Sequence, residues 1–139
     1  MASLIYDSLL DDISKGNVVP STDTFYVLLV TSSYTPNKGT HAKRSSVTNE
    51  VTGTGYTAGG QSVALTEALD TSLHKVTYTF ATTTWTTSTI TARGAVIYKR
   101  RGGASSADEL VAYVDFGSDI TSTAASFVVA FSSPITLQN

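Results

Sequence analysis

RGAVIYKRRGGASSADELVAYVDF (93–116) decides the fold. Its two ends, RGAVIYK (93–99) and LVAYVDF (110–116), are short, β-branched and aromatic, which suits strands. The polar middle holds Gly102 and Gly103, so the pair is expected to form a long-looped hairpin. Working outward, HKVTYTF (74–80) alternates, with His74, Val76, Tyr78 and Phe80 on one face and Lys75, Thr77 and Thr79 on the other. TTTWTTSTIT (82–91) is polar and β-prone, anchored by Trp85 and Ile90. TFYVLLVT (24–31) is apolar at both parities, the pattern of a strand covered on both faces. Shorter strands are expected at 61–66, 126–131 and 135–137, the last two parted by Pro134.

One helix is expected, over residues 3–14, capped by Ser3 and ended by Gly16. A long polar excursion runs from Ser32 to about Ala58, with room for a short strand near Val47–Val51. Excursions this long in a small domain are usually functional or ordered by a partner. Many short strands, polar turns and one helix predict a single all-β domain over 1–139, a two-sheet β-sandwich. The Cys…Trp…Cys signature of immunoglobulin domains is missing, and the long excursion suits a jelly roll better.

Composition narrows the function. Cysteine is absent, so no disulfide, thiolate nucleophile or cysteine-based zinc site exists. Charged residues make up 14% of the chain, against about 25% in ordinary globular proteins, while Thr and Ser occupy 41 of 139 positions. Hydroxyls are desolvated more cheaply than charges, so such a surface suits contact with other protein. A formal net charge of −2 gives no reason to expect nucleic acid. The first ten residues, broken by Asp7, do not read as a signal peptide, and no apolar run approaches the roughly 18 residues of a membrane span.

Catalytic patterns are sparse. His41 and His74 are the two histidines, in neither an H-x-x-x-H nor an H-E-x-x-H arrangement, so no metal site is expected. His74 reads as a structural residue on a strand and His41 as a solvated loop residue. No G-x-S-x-G occurs. Asp11–Asp12 and Asp108–Glu109 are neighbours on the chain, which favours solvated edges over an acid–base pair set across a cleft. GTGYTAGG (53–60) lacks both a following helix and a Gly-Lys-Ser/Thr, so its glycines read as turns and not as a phosphate cradle. No catalytic residue and no cofactor is expected. Two basic groups remain: Lys38, Lys43 and Arg44 in the excursion, and Lys99, Arg100 and Arg101 at the hairpin tip. Each is expected to sit on a loop free to dock on an acidic protein neighbour.

Four motifs, taken together, resemble a known family. They are D-T-F-x-V-L-L-V (23–30), N-E-V-x-G-T-G-Y-x-A-G-G (49–60), T-I-T-A-R-G-A-V-I-Y (89–98) and A-Y-x-D-F-G (112–117). The chain is similar in these to the capsid cement, or decoration, proteins of tailed phages. Residues 67–84 and the N-terminal helix carry the least of the likeness. The resemblance implies a non-enzymatic jelly-roll subunit assembled in the host cytoplasm and placed on the outer surface of an icosahedral virion. It would clamp neighbouring major capsid proteins, as a homodimer, with no nucleic acid or membrane partner. The contact residues expected on this reading are Lys38, Lys43, Arg44, Tyr56, Lys99, Arg100 and Arg101. Removing the charges at 99–101 would then weaken shell binding without unfolding the chain. The competing expectation is a receptor- or glycan-binding module on a tail or fibre, which calls for exposed aromatics.

Overall fold

A computed structural model describes residues 2–139; Met1 lies outside them. Eight strands and one α-helix follow one another along the chain. They are β1 (Leu4–Ile5), α1 (Asp7–Lys15), β2 (Phe25–Val30), β3 (Gln61–Val63), β4 (Leu65–Asp70), β5 (Lys75–Phe80), β6 (Thr83–Lys99), β7 (Leu110–Val129) and β8 (Ile135–Gln138). Two antiparallel sheets result. The larger has the order β1-β7-β6-β2-β3 and the smaller β4-β5-β8. The all-β class and the single short helix agree with the pattern in the sequence.

Strand β2 explains its own composition. Val27 and Leu29 face a core that also holds Phe25, Phe80, Ala95, Ile97, Trp85 and Phe127. Leu28 and Val30 face a second core with Val96, Tyr98, Leu110 and Tyr113, closed by Tyr6 and Tyr34. The large sheet is therefore covered on both faces, by the small sheet on one and by the excursion on the other. Phe25 meets Phe80 edge-on at 6.2 Å, a preferred aromatic geometry.

Several elements differ from the sequence reading. Leu4 and Ile5 pair with Tyr113 and Ala112 instead of opening the helix. Helix α1 starts at Asp7, and the Ser3 hydroxyl accepts the Asp115 amide 2.8 Å away. Gly16 does end the helix, in the left-handed conformation with φ 75°. His74 is exposed in the turn before β5, at φ 54°, and not on an apolar strand face. Segments 82–91 and 93–99 belong to one 17-residue strand. Segments 110–116 and 126–131 are likewise joined, in a 20-residue strand ending at Val129. Bulges with positive φ at Thr87, Gly117 and Ala124 bend this long hairpin. Gly94 sits at its centre because the Tyr113 ring packs where a Cβ would stand.

The excursion is held by its own chain and not left for a partner to order. The Thr31 amide donates to Asn49 O, and Val51 donates to Leu29 O at 2.9 Å, so 49–51 extends the sheet beside β2. The expected strand near Val47–Val51 is reduced to one bridge, Val30↔Glu50. A second bridge, Thr54↔Thr89, ties the glycine segment to β6. Gly60 allows the closest approach. Its φ is 78°, and a Cβ there would collide with the Val27 carbonyl. Gly60→Ala should destabilise the protein by at least about 2 kcal/mol, since strain and overpacking add. Urea denaturation checks this; an unchanged midpoint would show that the segment shifts freely.

Candidate interaction surface

Three of the seven contact candidates, Lys99, Arg100 and Arg101, fall at the hairpin tip. This tip is a bonded assembly and not a free loop. Asp108 and Glu109 are buried, at 0% and 1% exposure, which corrects their reading as a solvated edge. Their carboxylates gather the basic residues. Arg44 Nε donates to Asp108 Oδ2 at 2.8 Å, and the Arg101 amide donates to Asp108 Oδ1 at 2.9 Å. Arg101 Nε donates to Glu109 Oε1 at 2.5 Å, with Lys43 Nζ 3.7 Å from the other oxygen. Lys99 pairs with Asp23 at 3.0 Å and donates to Asn17 O at 2.6 Å. Arg100 lies over the Tyr26 ring, 4.4 Å from its centroid, a cation–π contact. The cations that sequence assigned to a neighbour are thus engaged by acids and rings of the same chain. Removing 99–101 together would strip partners from Glu109 and Asp23, so the expectation of an intact fold does not follow.

Tyr56 is also an internal strut. Its hydroxyl donates to Glu50 Oε1 at 2.7 Å and accepts the Leu29 amide at 2.9 Å, while its ring lies 5.8 Å from that of Trp85. Glu50 Oε1 also accepts the Gly59 amide at 2.6 Å, and Tyr98 OH donates to Gly59 O at 2.6 Å. These bonds hold the glycine segment onto the large sheet. Burial pushes the Tyr56 hydroxyl far above its ordinary pKa, the Leu29 amide opposing and the Glu50 carboxylate adding. Burial does the same for Tyr6, reinforced by its 2.9 Å hydrogen bond with Tyr34. Tyr34 OH in turn lies 2.9 Å from His41 Nδ1, with the rings stacked, so His41 is a partner in the second core's rim and not a solvated residue.

Of the seven candidates, Lys38 alone is an exposed cation with neither an ion pair nor a ring contact among the described residues. It stands at the rim of an apolar slot between the two sheets.

Sequence reasoning missed an uncharged surface. Beyond Gly94 and Asp115 the β6–β7 pair continues as a distal ribbon, Thr83–Ala92 against Ile120–Val129. Its inner face buries Trp85, Ser88, Ile90, Ser122, Phe127 and Val129. Ser88 and Ser122 hydroxyls lie 2.8 Å apart inside it. Its outer face shows Thr86, Thr89, Thr91, Thr121, Thr123, Ser126 and Val128. No residue of these two segments carries a charge, and Asp119 just before the second is the nearest acid on that strand. Ile120 and Val128 are 43% and 56% exposed. The Thr and Ser excess was a signal for such a face, but composition does not say where hydroxyls gather.

Among the described residues no group of His, Asp or Glu is arranged to hold a metal ion, and no helix is long and apolar enough to cross a membrane. Every aromatic ring is buried or half-buried. Comparison with protein-family models, with curated proteins and with solved structures finds no match.

Two predictions follow from the internal bonding. Asp108→Ala removes the acceptor of two hydrogen bonds, one from a guanidinium, and should cost about 2–3 kcal/mol; chemical denaturation reads it, and a loss under about 0.5 kcal/mol would show the hairpin tip to be independent of Asp108. The tyrosines set an alkaline limit. Tyr6, Tyr34, Tyr56, Tyr78, Tyr98 and Tyr113 are all raised, burial being the first cause in each. A raised folded-state value contributes stability that is complete below the unfolded pKa near 10 and is lost as pH climbs from there toward the folded value. Tyrosinate absorbance should therefore rise together with loss of structure above about pH 10, and titration of these rings in the intact fold would contradict it.

Proposed function

We propose that the protein is a non-enzymatic structural subunit of a tailed-phage virion that binds the outside of the icosahedral shell and cements neighbouring major capsid proteins. The observation that carries this reading is the uncharged outer face of the distal ribbon. A free-standing protein ordinarily disperses charges over such an area. Here exposed hydroxyls and the apolar side chain of Val128 form a face that loses water at low cost. The resemblance of four motifs to those of phage cement proteins supports the same reading, and two of them, 89–98 and 112–117, include parts of β6 and β7.

The mechanism is linkage. A subunit with affinity for the assembled shell, and none for its dissociated parts, stabilises the shell by mass action. Repetition at symmetry-equivalent positions multiplies the effect around the particle. The role needs no catalytic group. A homodimer on the shell and a location on the virion surface belong to the same proposal. We also assign the sandwich to the jelly-roll kind. Support comes from the chain's alternation between sheets, β1–β3 in the large one, β4–β5 in the small, β6–β7 in the large and β8 in the small. The direct β6–β7 hairpin departs from the usual roll pattern. A glycan-binding module is less well supported, because no aromatic ring is exposed to stack on a sugar.

The test is binding of the purified chain to shells of its phage prepared without it. Wild type should co-sediment saturably. Ser126→Lys with Val128→Lys, both at exposed positions, should bind at least about tenfold more weakly while melting within a few degrees of wild type. Equal binding by the double variant would remove the ribbon face from the contact.

A further inference from the structure

Between the sheets, on the side where β1 and β7 approach β8, the sandwich is not closed. A slot of about 420 Å³ opens there, lined by Ile97, Val114, Phe80, Phe131, Pro134 and Ile135. Val114, Phe131 and Ile135 are half-buried and pack against the main core. The apolar rows of both sheets thus reach solvent along one side.

Three features of the slot say what fits it. First, β8 is the edge of the small sheet: Ile135–Gln138 pair with Tyr78–Lys75 of β5 on one side and, among the described residues, with no strand on the other. An unpaired strand edge presents alternating N–H and C=O groups that match an extended main chain. Second, the slot is large enough in volume for a large apolar side chain and is lined chiefly by apolar residues. Third, Lys38 lines the slot as its single cation, and its charge is unmatched among the described residues, whereas Lys43, Arg44, Lys99 and Arg101 each have an acid of this chain. The free edge selects polypeptide over a small apolar molecule, and Lys38 selects a carboxylate-bearing one.

We propose that an extended strand of a neighbouring shell protein adds to the free edge of β8, places an apolar side chain in the slot and sets a carboxylate against Lys38. The inference rests on the cement reading and names the second point of attachment beside the ribbon face. Strand addition would widen the small sheet from three strands to four and cover Phe131 and Ile135. Main-chain bonds would supply affinity, and the slot and Lys38 would supply register and choice of partner.

Shells of the phage lacking this chain serve as the probe. Lys38→Glu reverses the rim charge and Ser133→Trp blocks the mouth; both positions are exposed, so the fold should survive, as a melting curve will show. Each variant should bind at least about tenfold more weakly than wild type. Amides of 135–138 on the free edge should exchange more slowly in the wild-type complex than in the free chain. If wild type binds while both variants bind equally well and these amides stay unprotected, the slot assignment is wrong and the cement reading stands. Protection that grows with protein concentration without shells would make a second copy the occupant and overturn the assignment to a shell protein. Failure of wild type to bind would overturn the cement reading and this inference together.

Discussion

Main-chain pairing between β6 and β7 runs from Tyr98 and Leu110 at the closed end to Thr83 and Val129 at the open end, and the rest of the molecule is arranged on it. Near the tip, Gly94–Lys99 and Leu110–Asp115 form the middle of the large sheet, with β2 on one flank and β1 on the other. Further out, the same two strands bend through bulges and become a ribbon with one dry face and one hydroxyl face. A single long hairpin therefore supplies both the structural centre and the surface proposed for binding. Its bends are needed because a straight ribbon of this length could not keep Trp85 and Phe127 on the core that also holds Leu29 and Ile97.

Charge is distributed in a way that supports this division. Four of the nine basic residues, Lys43, Arg44, Lys99 and Arg101, gather round buried Asp108 and Glu109 and the loop after α1, where they close the hairpin tip. Truncating one member of such a buried group leaves the other unmatched, a larger loss than the pair's own net worth. The ribbon by contrast is left without charge. Electrostatics here organise the chain internally, and in the proposed function contact with other protein is left to hydroxyls, Val128 and Lys38 at the slot.

Strands with clean periodicity were legible in the sequence. FYVLLV, KVTYTF and ITLQ stand where their alternation or double-sided apolarity placed them. The join between 82–91 and 93–99 was hidden, because Arg93 and Gly94 look like a break. Gly94 is there for the ring of Tyr113, a contact between residues far apart in the pattern. GSDITSTAA (117–125) carries no apolar period, since its side chains are exposed save Ser122, so nothing marked it as strand. The contact candidates, Tyr56 apart, are cations on polar loops. Whether a loop cation has an internal partner depends on tertiary pairing, here Lys43 with Glu109 and Arg44 with Asp108 across the sequence. Adjacent carboxylates give no such warning, as a strand entering a sheet can bury both.

A cement subunit must be abundant in the particle it stabilises, since its effect is a sum over equivalent sites. The copy number of this chain relative to the major capsid protein, determined by quantitative mass spectrometry of purified virions, tests that most directly. Near-stoichiometric amounts are the result this account predicts. A handful of copies would contradict it in favour of a tail or fibre position, and absence from the virion would contradict the structural role altogether.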